Sequence, residues 1–526
     1  MGEEFDSVIV GAGSAGCVLA RRLIERGGAR VLLLEAGGPD ELAAVHATDL
    51  GSMTSLWGNP ETAWQHVTMP QPGLAGRTVP LPQGRGLGGG SSINAMMYVR
   101  GNQADFDGWY SEGNPGWSYT EVLPYFRRAE DFADGASRYR GVDGPLSVVH
   151  YERPSIASEA FRAAAVESGR ASEVDLDYNG GRQDGGAFLY QSTRTKDNQR
   201  ASTAVGYLAP VLEHPDLTVR TGAYAHRLLI EAGVATGVEY FEAGSLRQVR
   251  ATAEVLLCAG ALASPQLLML SGIGPADHLS EHGIAALVDL PGVGANLSDH
   301  LLFGVGYQAL VELSPPALLS EAGLFTRSDL DPADYPPDQL QPPDLQFFFG
   351  PVQFLADRYK IDGPGFTFAP ILIQPASRGT VRLASSDPTA LPLVDPHYLT
   401  REEDLAVLLR GLEITRELVN TSAFDGIRGR ELAPGELITD REQLARYIRD
   451  NASTVWHPVG TCRMGSGPET VVDARLQVHG VRSLRVVDAS VMPTITRGNT
   501  NAATIMIAEK AADLLARADQ PVEGSA

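Results

Sequence analysis

The stretch Ser7-Val8-Ile9-Val10-Gly11-Ala12-Gly13-Ser14-Ala15-Gly16, continued by a helical segment to about Arg26 and by Val31-Leu32-Leu33-Leu34-Glu35, decides the fold. Its order is strand, glycine turn, helix, strand. Gly11 permits the tight turn, Gly13 lets the backbone approach a pyrophosphate, and Gly16 lets helix and strand pack closely, while the N–H groups at the helix start face the phosphates. Glu35 ends the second strand 19 residues after Gly16, close to the spacing at which an acid accepts hydrogen bonds from an adenosine ribose. The unit reads as a dinucleotide site in a Rossmann-like α/β domain and does not decide between FAD and NAD.

Working outward, a length of 526 residues predicts two to four structural units. The 64 acidic against 42 basic residues give a formal charge of −22, which makes nucleic acid and anionic membranes poor partners. A hydrophobic content of 43% with 20% charged residues excludes disorder as the main state. Cys17, Cys258 and Cys462 build neither a disulfide framework nor zinc-ligand spacing, so no metal is expected. The acidic start is unlike a signal peptide and no apolar run nears about 18 residues, so the expectation is a cytoplasmic protein without a membrane span. The 57 glycines call for a purpose.

Gly84-Arg85-Gly86-Leu87-Gly88-Gly89-Gly90-Ser91-Ser92-Ile93-Asn94 is a second glycine cluster, where backbone passes close either to a ligand or to another buried loop. Glu254 to Gly260 reads as a buried strand leading to a helix from Pro265, another βα unit of the same sheet. Residues 313–345 are proline-dense and read as a long loop or lid. Leu484 to Asp488 reads as a last buried strand. Asn501 to about Leu515 reads as a helix with Ala502, Ile505, Ala508, Ala512 and Leu515 on one face, capped by Asn499 or Thr500. Among eleven histidines, His457 stands out in Trp456-His457-Pro458-Val459-Gly460, where an aromatic, a proline and a glycine fix the backbone around an ionisable ring. Asn501 follows 44 residues later; spacing alone does not pair the two.

Taken with Gly260–Pro275 and with Pro375-Ala376-Ser377-Arg378-Gly379 and Asp395-Pro396, these motifs, in this order across nearly the whole chain, resemble the glucose–methanol–choline (GMC) family of FAD-dependent oxidoreductases. The resemblance implies that Gly11, Gly13, Ser14, Ala15, Gly16, Glu35 and Ala36 hold the ADP part of FAD. It implies further that Arg85, Gly88, Gly89, Ser91, Asn94, Ala95 and Met97 run beside the cofactor, that Ala225, Asp488 and Ala489 also contact it, and that His457 and Asn501 face the flavin as the catalytic pair. Trp456 and Leu302 are expected in the substrate pocket. Some members attach FAD through a histidine where Ile93 stands here, so FAD is expected to be non-covalent. Choline-oxidising members carry a glutamate shortly after an Asp-His pair, whereas Asp299-His300-Leu301-Leu302 has leucine. An uncompensated cation is costly to bury, so a neutral aliphatic or aromatic alcohol is expected.

The implied reaction oxidises the alcohol to a carbonyl by hydride transfer to flavin N5, with His457 as base and dioxygen or a quinone as acceptor. A lyase or other non-redox use of the scaffold is the alternative, since fold does not fix function; a choline-type dehydrogenase is another. Motif order makes the FAD-binding domain discontinuous, at residues 1–154, 201–300 and 456–526. Residues 155–200 and 301–455 are left for an α+β substrate-binding domain on an antiparallel sheet.

Overall fold

In the computed structural model, which describes residues 3–316, 318–330 and 341–518, Glu3–Val10 and Val31–Leu34 are strands joined by the helix Ser14–Arg26. They lie in a seven-stranded sheet whose spatial order is Tyr224–Glu231, Val234–Glu242, Ser245–Leu257, Glu3–Val10, Val31–Leu34 and Leu217–Arg220, with Leu484–Val486 also paired to Ser245–Leu257. That long strand divides its outer edge. Its first half pairs antiparallel with Val234–Glu242 and its last three residues pair parallel with Leu484–Val486. Val8, Ile9, Leu32, Leu33, Val255 and Leu256 are fully buried, as in a parallel sheet covered on both faces. The first helix packs against the last, Asn501–Ala518. The expected stripe of that last helix is buried, but so are Ala503, Met506, Ile507 and Ala511: it is an interior helix rather than an amphipathic one.

The helix expected from Pro265 begins at Gly260 and runs to Leu270, with Pro265 inside it. Two distant side chains make this start possible. The Gly260 N–H is bonded to the Asp488 carboxylate at 2.9 Å. Proline has no N–H for the carbonyl four residues earlier, and that carbonyl, on Ala261, accepts instead from the Thr461 hydroxyl at 2.6 Å.

A second, nine-stranded sheet runs Arg428–Ala433, Val305–Ala309, Gly365–Leu372, Leu345–Gly350, Ala322–Thr326, Gly186–Leu189 and Glu173–Val174, with Leu301–Leu302 and Ser453–Thr454 at its side. All its pairings are antiparallel except the one between Glu173–Val174 and Gly186–Leu189. Its core is rich in phenylalanine, with Phe347, Phe349, Phe366 and Phe368 fully buried and Phe161 stacked on Phe349 at 4.8 Å. The single loop or lid expected over 313–345 is corrected here: Ala322–Thr326 is a strand between two others. A run buried on both faces has no polar alternation to betray it. Residues 317 and 331–340 of that segment lie outside the described residues.

One short ladder matters most for the site. Leu301 pairs with Thr454 and Leu302 with Ser453, so the chain entering through Asp299-His300 lies beside the chain leaving through Val455-Trp456-His457. Among the described residues no helix is long and apolar enough to cross a membrane.

Candidate active site

Three helix N-termini, at Ser14, Gly260 and Asn501, line one cavity of about 300 Å³. Each brings its first-turn N–H groups and the positive end of a helix dipole to the wall, a setting for an anionic ligand such as a pyrophosphate. Asp488, the acidic residue in the described lining, has its carboxylate taken by the Gly260 N–H, the Ser264 hydroxyl at 2.6 Å and the Ser490 N–H at 2.8 Å. A Cβ added to Gly13 would meet nothing within 4 Å, so the space in front of that turn is open. Directly beside that turn a Cβ on Gly89 would sit 2.7 Å from Gly13 Cα, and the Gly88 N–H bonds Ala12 O at 2.7 Å. The second glycine cluster thus both crosses a buried loop and faces a ligand space. These features fit FAD.

Of the expected cofactor residues, Gly13, Ser14, Ala15, Gly89, Asn94, Ala95 and Met97 line the cavity, as do Asp488 and Ala489. Gly11, Gly16, Gly88 and Ser91 do not; they build the wall from behind. A Cβ on Gly11 would lie 2.6 Å from Cys258 O and one on Gly16 only 1.9 Å from Gly11 O. The Ser91 hydroxyl bonds Gly88 O at 2.6 Å. Glu35, Ala36, Arg85 and Ala225 are also outside the lining. The Glu35 carboxylate accepts from the N–H groups of Ala12, Gly37 and Gly86 at 2.8–2.9 Å, tying the first turn to the second cluster; two of these bonds fall on Oε1 and one on Oε2. The Arg85 guanidinium lies 4.7 Å from the Trp64 ring. Ala225 stands two residues beyond Ala223, whose N–H bonds Glu35 O.

His457, Trp456 and Leu302 line the same cavity. Asn501 lines it too, but its amide donates to the Ser14 hydroxyl at 2.8 Å. The residue beside His457 is Asn499, whose Nδ2 lies 3.4 Å from His457 Nε2. The expected pairing of His457 with Asn501 is corrected in this respect: the helix begins at Asn501, which turns toward the first helix, while Asn499, still in the preceding loop, turns into the cavity. The Asn499 Oδ1 is buried without a partner.

His457 is held by the dipeptide Asp299-His300. Its N–H donates to Asp299 Oδ1 at 2.8 Å, and its Nδ1 lies 3.0 Å from His300 Nδ1. The Asp299 carboxylate also accepts from the Tyr398 and Thr454 hydroxyls, each at 2.5 Å. Burial lowers the His457 pKa to about 3, and burial raises that of Asp299 to about 6 against the pull of its donors. Trp456 has φ +63, a strained value for a bulky residue, and meets Trp57 edge-on with ring centroids 4.5 Å apart. Leu302, Phe348, Ala369 and Val455 supply apolar side chains to the same lining. Sequence reasoning missed Asn499, the hold of Asp299-His300 on His457, Trp57, and His66, a cavity-lining histidine with an unpartnered buried Nδ1. His66 had a signal: it stands two residues after Trp64, on the same face of the strand Ala63–Val67.

The GMC oxidoreductase family models match residues 5–302 and 375–508. An oxygen-dependent choline dehydrogenase of Photobacterium profundum is 40% identical over 98% of this chain and 93% of its own length; one of Escherichia coli O157:H7 is 40% identical over 97% and 94%. Among solved structures, pyridoxine 4-oxidase from Mesorbium loti superposes with a TM-score of 0.90 at 33% identity, covering 97% of this chain and 98% of that one. Formate oxidase from Aspergillus oryzae RIB40 gives 0.88 at 27% identity, covering 98% and 99%. The motif order, the cavity and these matches across most of its length agree: the chain belongs to the GMC oxidoreductase family.

Proposed function

We propose that this protein is an FAD-dependent enzyme oxidising a neutral primary alcohol, aliphatic or aromatic, to its carbonyl, with His457 as base. The observation that carries the reading is the Nε2 of a partly buried histidine beside the Asn499 amide, in a cavity whose other polar wall is three helix N-termini. When bound, FAD supplies the acceptor for the hydride leaving the alcohol carbon. The turn at Gly13-Ser14-Ala15 would hold its pyrophosphate, Glu35 its ribose, and Gly89 to Asn94 would run beside its ring. Ile93 offers no nucleophile, so acid precipitation is expected to leave yellow flavin in the supernatant.

The chain's own task is the hydroxyl proton. A His457 pKa of about 3 against roughly 15.7 for a water-like hydroxyl is a gap of about 17 kcal/mol at about 1.36 per unit. Simple prior deprotonation is too costly: either proton loss accompanies hydride loss, or the alkoxide is stabilised where it forms. The Asn499 amide, placed to bond the developing negative oxygen, stabilises that charge. A hydrogen bond to a charged group contributes about 1.5–3 kcal/mol. Asn499→Ala is therefore expected to slow flavin reduction about 10- to 100-fold, and Asn501→Ala less; an equal or larger effect at Asn501 contradicts the placement.

Three donors on Asp299 favour its ionised form, while burial raises its pKa to about 6. Acidification through that value removes an acceptor from the His457 backbone. The rate of flavin reduction is expected to fall below about pH 6. In Asp299→Asn it should be lower and lose that acid limb; a limb unchanged in the variant assigns it elsewhere.

A choline-type reading is favoured by the relatives at 40% identity and by the rings of Trp57, Trp456 and Phe348 in the lining. Cation–π contact is worth about 0.5–2 kcal/mol, less than an ammonium loses on burial without a carboxylate. The relatives' names favour dioxygen over a quinone as the final acceptor. An anaerobic screen of neutral alcohols and choline for bleaching of the bound flavin, followed by air, tests the reading; bleaching by choline alone replaces it.

A further inference from the structure

We propose that His300 is a positioning residue that fixes the tautomer of His457 and takes a share of the proton His457 accepts. The proposal rests on the reading of His457 as the base. His300 is fully buried, and its two ring nitrogens have different neighbours. Nε2 lies 3.2 Å from Ile373 O. A carbonyl has no proton to give, so Nε2 must carry one; a neutral imidazole carries only one. His300 Nδ1 is therefore a lone pair.

With Nε2 as the protonated nitrogen of His300, the next contact is set. His457 Nδ1 is 3.0 Å from His300 Nδ1, so His457 Nδ1–H must be the donor. The opposite assignment sets two buried lone pairs against each other or leaves the Ile373 carbonyl unpaired. With its proton on Nδ1, His457 presents a bare Nε2 to the cavity, the form a base needs, and Asn499 Nδ2 lies 3.4 Å from it. The two rings stand edge to face at 85° with centroids 5.2 Å apart, so the contact is not a stack.

Burial and the nearby His457 hold the His300 pKa well below the ordinary histidine value, so the ring rests neutral; two backbone carbonyls oppose that shift and are what supports a proton passed to it. The backbone carbonyls of Ile373 and Thr496 face its ring. The titratable groups around it are His457 and, on its own segment, Asp299, whose carboxylate is engaged by Tyr398, Thr454 and the His457 N–H. Among the described residues no Lys or Arg pairs with its ring. The transfer balances as follows. The alcohol O–H bond breaks and an N–H bond forms at His457 Nε2; the His457 Nδ1–H bond then breaks and an N–H bond forms at His300 Nδ1. Only protons move between the rings, and one positive charge is spread over both. On reversal His457 regains its Nδ1 proton.

The test uses flavin-loaded enzyme with His300→Leu, which removes the acceptor, and His300→Gln, whose Oε1 can still accept from His457 Nδ1–H. General acid–base groups contribute about 10²- to 10⁴-fold. His300→Leu is expected to keep its flavin and its substrate affinity but to lose about 10²-fold or more in the limiting rate of anaerobic flavin reduction, and His300→Gln to recover at least about tenfold of it. Nitrogen-15 NMR of histidine-labelled enzyme, with His457→Ala identifying the signal, reads the tautomer without any substrate. The proton is expected on His457 Nδ1 in the unaltered protein and partly on Nε2 in His300→Leu. A proton on Nε2 of His457 in the unaltered protein, or an unchanged reduction rate in His300→Leu, overturns the proposal. If alcohols fail to reduce the unaltered enzyme, the functional reading falls and the tautomer alone decides the role of His300. If His300→Leu does not fold, the tautomer of the unaltered protein still decides.

Discussion

His457→Ala is expected to lower the rate of anaerobic flavin reduction by alcohol about 10²- to 10⁴-fold while FAD stays bound. The rate effect follows from the gap of about 17 kcal/mol that concerted proton removal must avoid; without an acceptor in hydrogen-bond reach, the hydroxyl proton has nowhere to go as hydride leaves. Retention of cofactor follows from geometry. The turn at Gly13, the helix start at Gly260 and the loop at Gly89 are built without the imidazole. The neighbouring backbone is fixed by Asp299 through the His457 N–H at 2.8 Å, a contact alanine keeps. Stopped-flow absorbance of the bound flavin measures the rate, and the absorbance ratio of flavin to protein measures occupancy. An unchanged rate removes His457 from the role of base.

Gly16→Ala is expected to abolish FAD binding and to destabilise the protein by about 3 kcal/mol or more, at the upper end of ordinary overpacking. The added Cβ would lie 1.9 Å from Gly11 O and 3.0 Å from Gly11 C, both backbone atoms. They cannot move without opening the turn that Gly11 makes at φ +98, against Cys258 O 2.6 Å from its own Cβ position. Gly13→Ala provides the contrast. Its Cβ has open space, so the protein should keep its thermal stability without cofactor and lose affinity only where FAD would approach. Thermal unfolding and flavin content of the two variants separate these outcomes; equal behaviour would contradict the division of labour among the glycines.

The part played by Gly16 was legible in the chain because its constraint is local. Gly16 collides with Gly11, five residues away, and the flanking apolar runs can be read by eye. The same holds for the last helix, whose expected face is buried. What was hidden depends on contacts made across the chain. Asn499 and Asn501 are two residues apart with the same side chain, and only the first turn of the helix, packed on Ser14, decides which faces His457. The helix start at Gly260 relies on Asp488 and Thr461, about 200 residues later. The grip of Asp299-His300 on His457 depends on a ladder of two residue pairs, too short to carry a periodic signal. The strand Ala322–Thr326 is buried on both faces among prolines, so composition pointed to a loop.

The most direct measurement of the central claim is rapid anaerobic mixing of the flavin-loaded enzyme with a neutral primary alcohol bearing hydrogen or deuterium on the reacting carbon. The account predicts full bleaching of the flavin in a single turnover, several-fold slower with the deuterated alcohol, with little bleaching by choline at the same concentration. Absence of bleaching by every neutral alcohol, or bleaching confined to choline, would contradict it.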